Sequence, residues 1–438
     1  MASHRVAVVG SGIAGLSVAH GLREHAHVTL FEAGDYFGGH SHTVDMTLDG
    51  VTHGVDTGFL VLNERTYPNL LRLFGELGVE IAESEMSFSV QVPGIGRTPS
   101  LEWSGCDLNT VFAQRANLVR PPFWRMLADL LRFNKLATRL AERADHDALD
   151  QPIGDFLAEH RFSTEFRDWY FLPMIGSIWS CPADQMLRFP VATMIRFCHN
   201  HGLIQVANRP QWYTVRGGAR TYVRKMIESI PDARLNTPVL RVRRPPGGIG
   251  GAVLVSTAAG TERFDEVVLA CHSDQSLALL ADSSAAETAV LGAIRYQRNR
   301  AILHSDTSLL PKRRLAWAAW NYERAADDSR ERAAVCLHYL LNRLQPLPFT
   351  SPAIVSLNPV REPAAEAVHA EFDYAHPVFD RTAIGAQQRV PELQGHRQTW
   401  FCGAWTRYGF HEDGLISGLA VCESMRAAWA AGRLAEAA

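Results

Sequence analysis

The sequence predicts an α/β protein of two domains, on three observations. A short β-branched run, Arg5–Val9, stops at a glycine cluster, Gly10-Ser-Gly12-Ile-Ala-Gly15, and from Leu16 to Leu22 apolar residues return at helical spacing. A second strand, His27–Phe31, ends in Glu32, about 20 residues beyond the cluster. The 438 residues exceed what one ordinary core organises, so a second domain sharing a cleft with the first is expected.

Strand, GxGxxG, helix and a distal carboxylate together make a dinucleotide-binding unit of Rossmann type. Gly10 permits the tight turn, Gly12 lets the backbone approach a pyrophosphate, and Gly15 lets helix pack on strand. The helix amino terminus, with Ile13 and Ala14 in its first turn, then holds the phosphate charge. Glu32, followed by Ala33, is placed to accept the ribose hydroxyl hydrogens. These residues leave FAD and NAD both open.

Composition narrows the classes. Hydrophobic residues make up 47% and charged residues 20%, the balance of a folded domain rather than a disordered or fibrous one. A formal net charge of -3 offers no field for phosphate backbones, so nucleic acid is not expected as a partner. Seven cysteines are scattered without metal-ligand spacing, so no metal site is expected and a reducing compartment fits. No apolar stretch reads as a secretory leader or a membrane span. A cytoplasmic protein is expected, with contact at a membrane surface left open.

Two further motifs decide the cofactor. Ala33-Gly-Asp-Tyr-Phe-Gly38-Gly39-His40 carries a second glycine pair that resembles the motif FAD-binding amine oxidases set beside pyrophosphate and flavin. Those proteins usually carry Gly-Gly-Arg, so His40 is open to a role at phosphate, at flavin or at neither. Near the other end, Thr399-Trp-Phe-Cys402-Gly403 and then His411-Glu-Asp413-Gly414-Leu415-Ile-Ser417-Gly418 resemble the carboxy-terminal FAD segment of the flavin-containing amine oxidase superfamily. The physical logic is that a helix amino terminus faces the flavin pyrimidine, where negative charge gathers on reduction. The resemblance implies an FAD cofactor with Gly403, Asp413, Gly414 and Leu415 at its binding site. It further matches Asn236-Thr-Pro-Val239-Leu240 to the strand whose valine contacts adenine, Phe264–Cys271 to the strand returning to the substrate domain, and Val215-Arg-Gly217-Gly218 to the crossing into the FAD domain.

Val55-Asp56-Thr57-Gly58-Phe59, Trp169–Pro173 with Ser177-Ile-Trp179-Ser, Trp317-Ala-Ala-Trp320-Asn321-Tyr322 and Asn342-Arg-Leu-Gln345 resemble a bacterial branch of that superfamily associated with fatty-acyl methyltransferases of the cyclopropane-synthase type. The likeness implies a two-dinucleotide-binding-domain flavoprotein fold. Its FAD domain is discontinuous, at about 1–82, 215–275 and 395–438; 83–214 and 276–394 form an α+β substrate domain with an antiparallel sheet and a helical insertion. It implies hydride transfer to flavin from a hydrophobic or lipid acyl substrate, as a dehydrogenase or desaturase, with an acyl methyltransferase as a partner. An amine oxidase, a redox-neutral fatty-acid isomerase and a non-catalytic flavin protein that presents lipid to a methyltransferase remain the competing readings.

In amine oxidases an aromatic residue precedes the acidic-Gly pair; His411 stands there instead. A histidine at that place can serve as general base or simply pack in the loop. His304 is the next candidate proton acceptor. Trp179, Trp320, Tyr339, Asn342 and Tyr408 are candidates to line the substrate cavity, although aromatic residues on strands also build cores. Asp56 is open to orienting His40 or capping a turn. Between Ala113 and Glu142, Pro121-Pro122 introduces a helical pattern with Phe123, Trp124, Met126, Leu127, Leu130, Leu131 and Leu136 set among Arg115, Arg120, Arg125, Arg132 and Lys135. Such a basic amphipathic helix can lie on an anionic membrane or pack on its neighbours with a solvated basic face.

Overall fold

The computed structural model describes residues 4–94, 100–143, 151–205, 209–244, 252–326 and 334–437. Its organising element is a parallel five-stranded sheet in the spatial order Asp232–Arg234, His27–Phe31, Arg5–Val9, Glu266–Leu269, Thr399–Phe401. The apolar run of Arg5–Val9 is explained by burial on both faces. Val6 and Val8 enter the core shared with the first helix, Ile13–Leu22, whereas Ala7 and Val9 enter a second core with the three-stranded sheet of Arg241–Arg243, Val253–Thr257 and Gly260–Phe264.

The closing helix, His411–Ala437, packs along the first helix. Small residues allow the approach: a Cβ on Gly418 would stand 2.5 Å from the Ala14 carbonyl oxygen, and one on Gly21 2.9 Å from Cys422 Sγ. Strands of the parallel sheet all fall within 1–82, 215–275 and 395–438. A small sheet of Leu62–Asn63, Trp212–Val215 and Ile81–Ser84 ties segments on either side of those boundaries.

The second layer is a seven-stranded sheet, ordered Val368–Val378, Arg295–His304, Ile354–Leu357, Cys336–Leu340, Trp320–Glu323, Phe88–Val92, Leu101–Ser104. It is not wholly antiparallel as expected: Trp320–Glu323 pairs parallel with Phe88–Val92, because these strands come from separate segments and no hairpin sets their direction. Two other expectations shift. Residues 236–240 form no strand; the chain turns at Asn236 (φ +49°) and pairs only from Arg241. Phe264–Cys271 divides into two strands at Asp265. The helix that Pro121-Pro122 introduces runs Pro121–Arg143, preceded by a 3-10 turn, Arg115–Val119, since proline suits a first helical position and not an interior one. Among the described residues no helix is long and apolar enough to cross a membrane.

Candidate functional site

One cavity of about 1410 Å³ runs from the glycine loops of the parallel sheet to the seven-stranded sheet and the helices over it. A single drug-sized ligand occupies about 300–1,000 Å³, so this cavity has room for a cofactor and a second molecule. Gly10, Gly12, Ile13, Ala14, Glu32, Ala33, Gly38, Gly39, His40, Val239 and Gly403 all line one end. Gly15 does not; its absent side chain lets the first helix close on the strand, where a Cβ would stand 3.0 Å from the Gly10 carbonyl carbon and 3.1 Å from Ala270 Cβ.

This end fits FAD on three features. Gly12 caps the first helix with no side-chain acceptor for the first-turn N–H groups, and a Cβ on it would meet no atom within 4 Å; space and donors thus coincide where a pyrophosphate binds. Glu32 is held at the wall by the Ser11 N–H, which donates to Oε2 at 2.9 Å, and the Gly34 N–H, which donates to Oε1 at 2.8 Å, leaving acceptor capacity for ribose hydroxyls. His40 Nε2 is buried without a protein partner, as befits a ring facing a polar ligand. Burial, then the neighbouring histidines His376 and His272, push the His40 ring well below the usual histidine range, so it is neutral.

Asp413, Gly414 and Leu415 stand one layer behind that wall. Asp413 accepts the Phe410 N–H at 3.0 Å and is raised to about 6 by burial. A Cβ on Gly414 would lie 2.7 Å from Ile13 Cγ2, and Leu415 is in the core. Glu412, beside them, accepts the N–H groups of Asn69 and Leu70 at 2.9 Å each, capping the helix Pro68–Leu77.

The other end is walled by Trp179, Trp320, Tyr339 and Tyr408, together with Phe88, Trp103, Met174, Phe197 and Val355. Trp320 and Tyr339 meet edge to face, 5.0 Å between centroids, and Trp320 Nε1 is buried with no partner. Across the whole wall Glu32, at the ribose position, is the only carboxylate among the described residues.

His411 lies at the junction of the two ends. Its ring stacks on Phe59 at 3.9 Å, and its Nε2 is 2.7 Å from the hydroxyl of Tyr222, which itself pairs with Ser41. Burial lowers its pKa to about 3. The ring is therefore neutral, braced on two sides and a poor proton acceptor.

Two expected residues lie elsewhere. His304 is fully buried on the opposite face of the seven-stranded sheet. Strand alternation decides this: Trp320, Tyr339 and Val355 stand together across the register on the cavity face, which sends Asn321, His338 and Ser356 to the other. There the Asp306 N–H donates to His304 Nδ1 at 3.1 Å, and His304 Nε2 meets Ser356 Oγ at 2.6 Å. Ser356 Oγ is also 2.6 Å from His338 Nδ1, whose Nε2 meets Glu323 at 3.0 Å. This serine–histidine–carboxylate chain does not reach the cavity, and its carboxylate pairs with Arg361. Asn342 is absorbed by a turn, donating to the Phe349 and Ser351 carbonyls and accepting the Ala353 N–H at 2.7 Å. Asp56 does not touch His40; it accepts from Thr43 Oγ1, the Ala219 N–H and Gln345 Nε2, bracing the start of the helix Arg220–Ile227.

Tyr374 and His376, which no sequence motif marks, reach the cavity beside His40, with ring centroids 5.1 and 5.3 Å from it. Asn299 Nδ2 donates to His376 Nδ1 at 2.9 Å, and burial lowers that histidine to about 4, leaving a neutral ring with its proton on Nε2. Both sit on the eleven-residue strand Val368–Val378, whose alternation is visible in sequence although its cavity face is not.

Comparison with known proteins agrees with this frame. Three solved structures align over nearly the whole chain: a CLA-producing fatty acid isomerase from P. acnes (16% identity, TM-score 0.66, 96% of this chain and 98% of that one), putrescine oxidase bound to putrescine (15%, 0.66, 97% and 99%), and cyclohexylamine oxidase from Brevibacterium oxydans IH-35A (16%, 0.65, 97% and 100%). At such identities they show the fold. No curated protein sequence matches the chain. The sequence model for flavin containing amine oxidoreductases matches residues 13–297; the chain belongs to that family and is an FAD-dependent oxidoreductase.

Proposed function

We propose that the protein is a dehydrogenase or desaturase of a hydrophobic acyl chain. The observation that carries this reading is the substrate end itself: a long wall of aromatic and aliphatic side chains in which, among the described residues, no carboxylate stands to pair with a substrate ammonium. An unpaired buried cation is costly, so an amine is the poorer guest and a neutral chain the better one. FAD held by Gly12, Glu32 and His40 supplies the hydride acceptor. The protein's own part is to strip water from the chain, to align it between Trp320, Tyr339 and Phe88, and to hold the neutral His411 ring firm against Phe59 and Tyr222.

A redox-neutral isomerisation is the second reading, favoured by the solved relative named as a fatty acid isomerase on the same frame. Anaerobic mixing with methyl-branched and unbranched acyl lipids, and separately with putrescine and cyclohexylamine, tests both while flavin absorbance is followed. Bleaching by acyl lipid alone is the expected result. Conversion of the lipid without bleaching selects the isomerase, and bleaching by the amines overturns the acyl-chain reading.

A further inference from the structure

Nine large apolar side chains are exposed among the described residues, and five of them lie between Leu108 and Leu131: Leu108, Leu118, Val119, Trp124 and Leu131. Val119 is 84% and Leu108 79% exposed. Such side chains are ordinary when scattered, and informative when gathered. Three of the five, Leu108, Trp124 and Leu131, also line the cavity. The apolar patch is therefore continuous with the mouth of the substrate end.

The helix Pro121–Arg143 explains the gathering. Trp124, Ala128, Leu131 and Lys135 recur at helical spacing and form one exposed stripe, while Phe123, Met126, Phe133 and Ala137 are buried beneath. Phe112 meets Trp124 at 5.3 Å, and Trp124 Nε1 donates to the Leu118 carbonyl at 2.9 Å, which binds the Arg115–Val119 turn to the same patch. From Leu108 to Lys135 the chain holds five basic residues and one acidic one, against a net charge of -3 for the whole. Arg125 pairs with Glu165 and Arg132 with Asp129, whereas Arg115 is held by backbone and amide oxygens and Lys135 is exposed on the stripe itself. Glu142 shares the stripe at a helical distance of about 27 Å from Trp124, well away from the mouth.

We propose that this face docks on the surface of an anionic bilayer, with Leu118, Val119 and Trp124 entering the interface, so that an acyl chain passes from the membrane into the cavity past Trp124 and Leu131. Apolar area supplies insertion and the basic residues supply attraction to anionic headgroups, the pairing that interfacial helices use. The proposal rests on the acyl-chain reading for its purpose, but its test does not.

The test is sedimentation of the FAD-loaded protein with phosphatidylcholine vesicles, with and without phosphatidylglycerol. Binding is expected only where phosphatidylglycerol is present. A Leu118→Glu/Val119→Glu variant should lose it while keeping its flavin content, because neither side chain lines the cavity. An Arg115→Gln/Lys135→Gln variant keeps the apolar patch and should bind about 30-fold more weakly, about fivefold for each charge removed near the surface. Absence of binding to both vesicle types overturns the proposal, as does equal binding by the flavin-loaded Glu variant. Vesicle binding without flavin reduction by any acyl lipid would leave docking standing and sink the acyl-chain reading alone.

Discussion

Gly12→Ala separates the cofactor cradle from the fold that carries it. Gly12 has φ −62°, which alanine adopts freely, and a Cβ there meets no protein atom within 4 Å. The apoprotein should lose only what a helix loses when its capping glycine becomes alanine, about 0.5–1 kcal/mol. The added methyl group nevertheless occupies the space in which the pyrophosphate would touch backbone. Overfilling a closely packed contact costs about 1–3 kcal/mol, which weakens FAD about 5- to 150-fold. Gly15→Ala is the contrast: its Cβ would stand 3.0 Å from the Gly10 carbonyl carbon, within contact of backbone that cannot swing away, so the apoprotein itself should be destabilised. Thermal unfolding of both apoproteins, with FAD titrations followed by quenching of flavin fluorescence, reads the two effects separately. Gly12→Ala should melt near wild type and bind FAD weakly. Undiminished FAD affinity in that variant would refute the assignment of the loop as the pyrophosphate cradle.

Four other outcomes are expected. His411→Ala should keep its FAD and reduce flavin more slowly by less than the roughly 100-fold that marks lost general-base help, since a ring lowered to about 3 is too weak a base to take a substrate proton; a larger loss, with a wild-type inflection near pH 6.5, would show the ring to be the base. Trp320→Phe removes the unpartnered Nε1–H from the substrate end and should raise KM with kcat little changed, by about two- to tenfold if a substrate oxygen accepts that bond; unchanged KM would place the indole in a packing role. Stability should fall on acidification from pH 7 to 5, because burial lowers His201, His304 and His376 to about 4 and His411 to about 3, so that the unfolded chain takes up protons from about pH 6.5 downward while the folded one does not. Asp56 and Asp413, raised to about 6, take up protons in the folded state and oppose this, but they are two against eight, since burial also lowers His20, His40, His42 and His272; a melting temperature that rises on acidification would contradict the count. Gly418→Ala, whose Cβ would stand 2.5 Å from the Ala14 carbonyl oxygen, should lower the melting temperature of the apoprotein, and a wild-type melting curve would show that the two helices can part without loss.

What could be read from the sequence was what is local in it. Strand, glycine loop, helix and Glu32 are contiguous, and each residue's place depends on neighbours within a few turns, so the strand–loop–helix order and its position at one end of the cavity were legible. The closing segment was legible through resemblance, although Asp413, Gly414 and Leu415 stand behind the wall instead of on it. His304 was not legible, because which face of Arg295–His304 meets the cavity follows from pairing with Ile354–Leu357, some fifty residues away. Asn342 looked available until Phe349 and Ser351 claimed its amide. Tyr374 and His376 carry no motif, and they come beside His40 only through the pairing of Val368–Val378 with Arg295–His304.

The strand order of the parallel sheet has a consequence for how the chain is made. Of the strands in this sheet Arg5–Val9 is made before its neighbour Glu266–Leu269, which follows more than 250 residues later, and before the edge strand Thr399–Phe401, about 130 residues further on. The cradle's first βαβ-type unit must therefore wait with an open edge and a bare apolar helix, which in the finished protein is covered by His411–Ala437. Non-local closure of this kind is slow and leaves sticky intermediates. A truncation ahead of Thr399 should accordingly yield aggregate instead of a smaller flavoprotein, and a chaperone that shields Ile13–Leu22 during synthesis should raise the yield of the full chain.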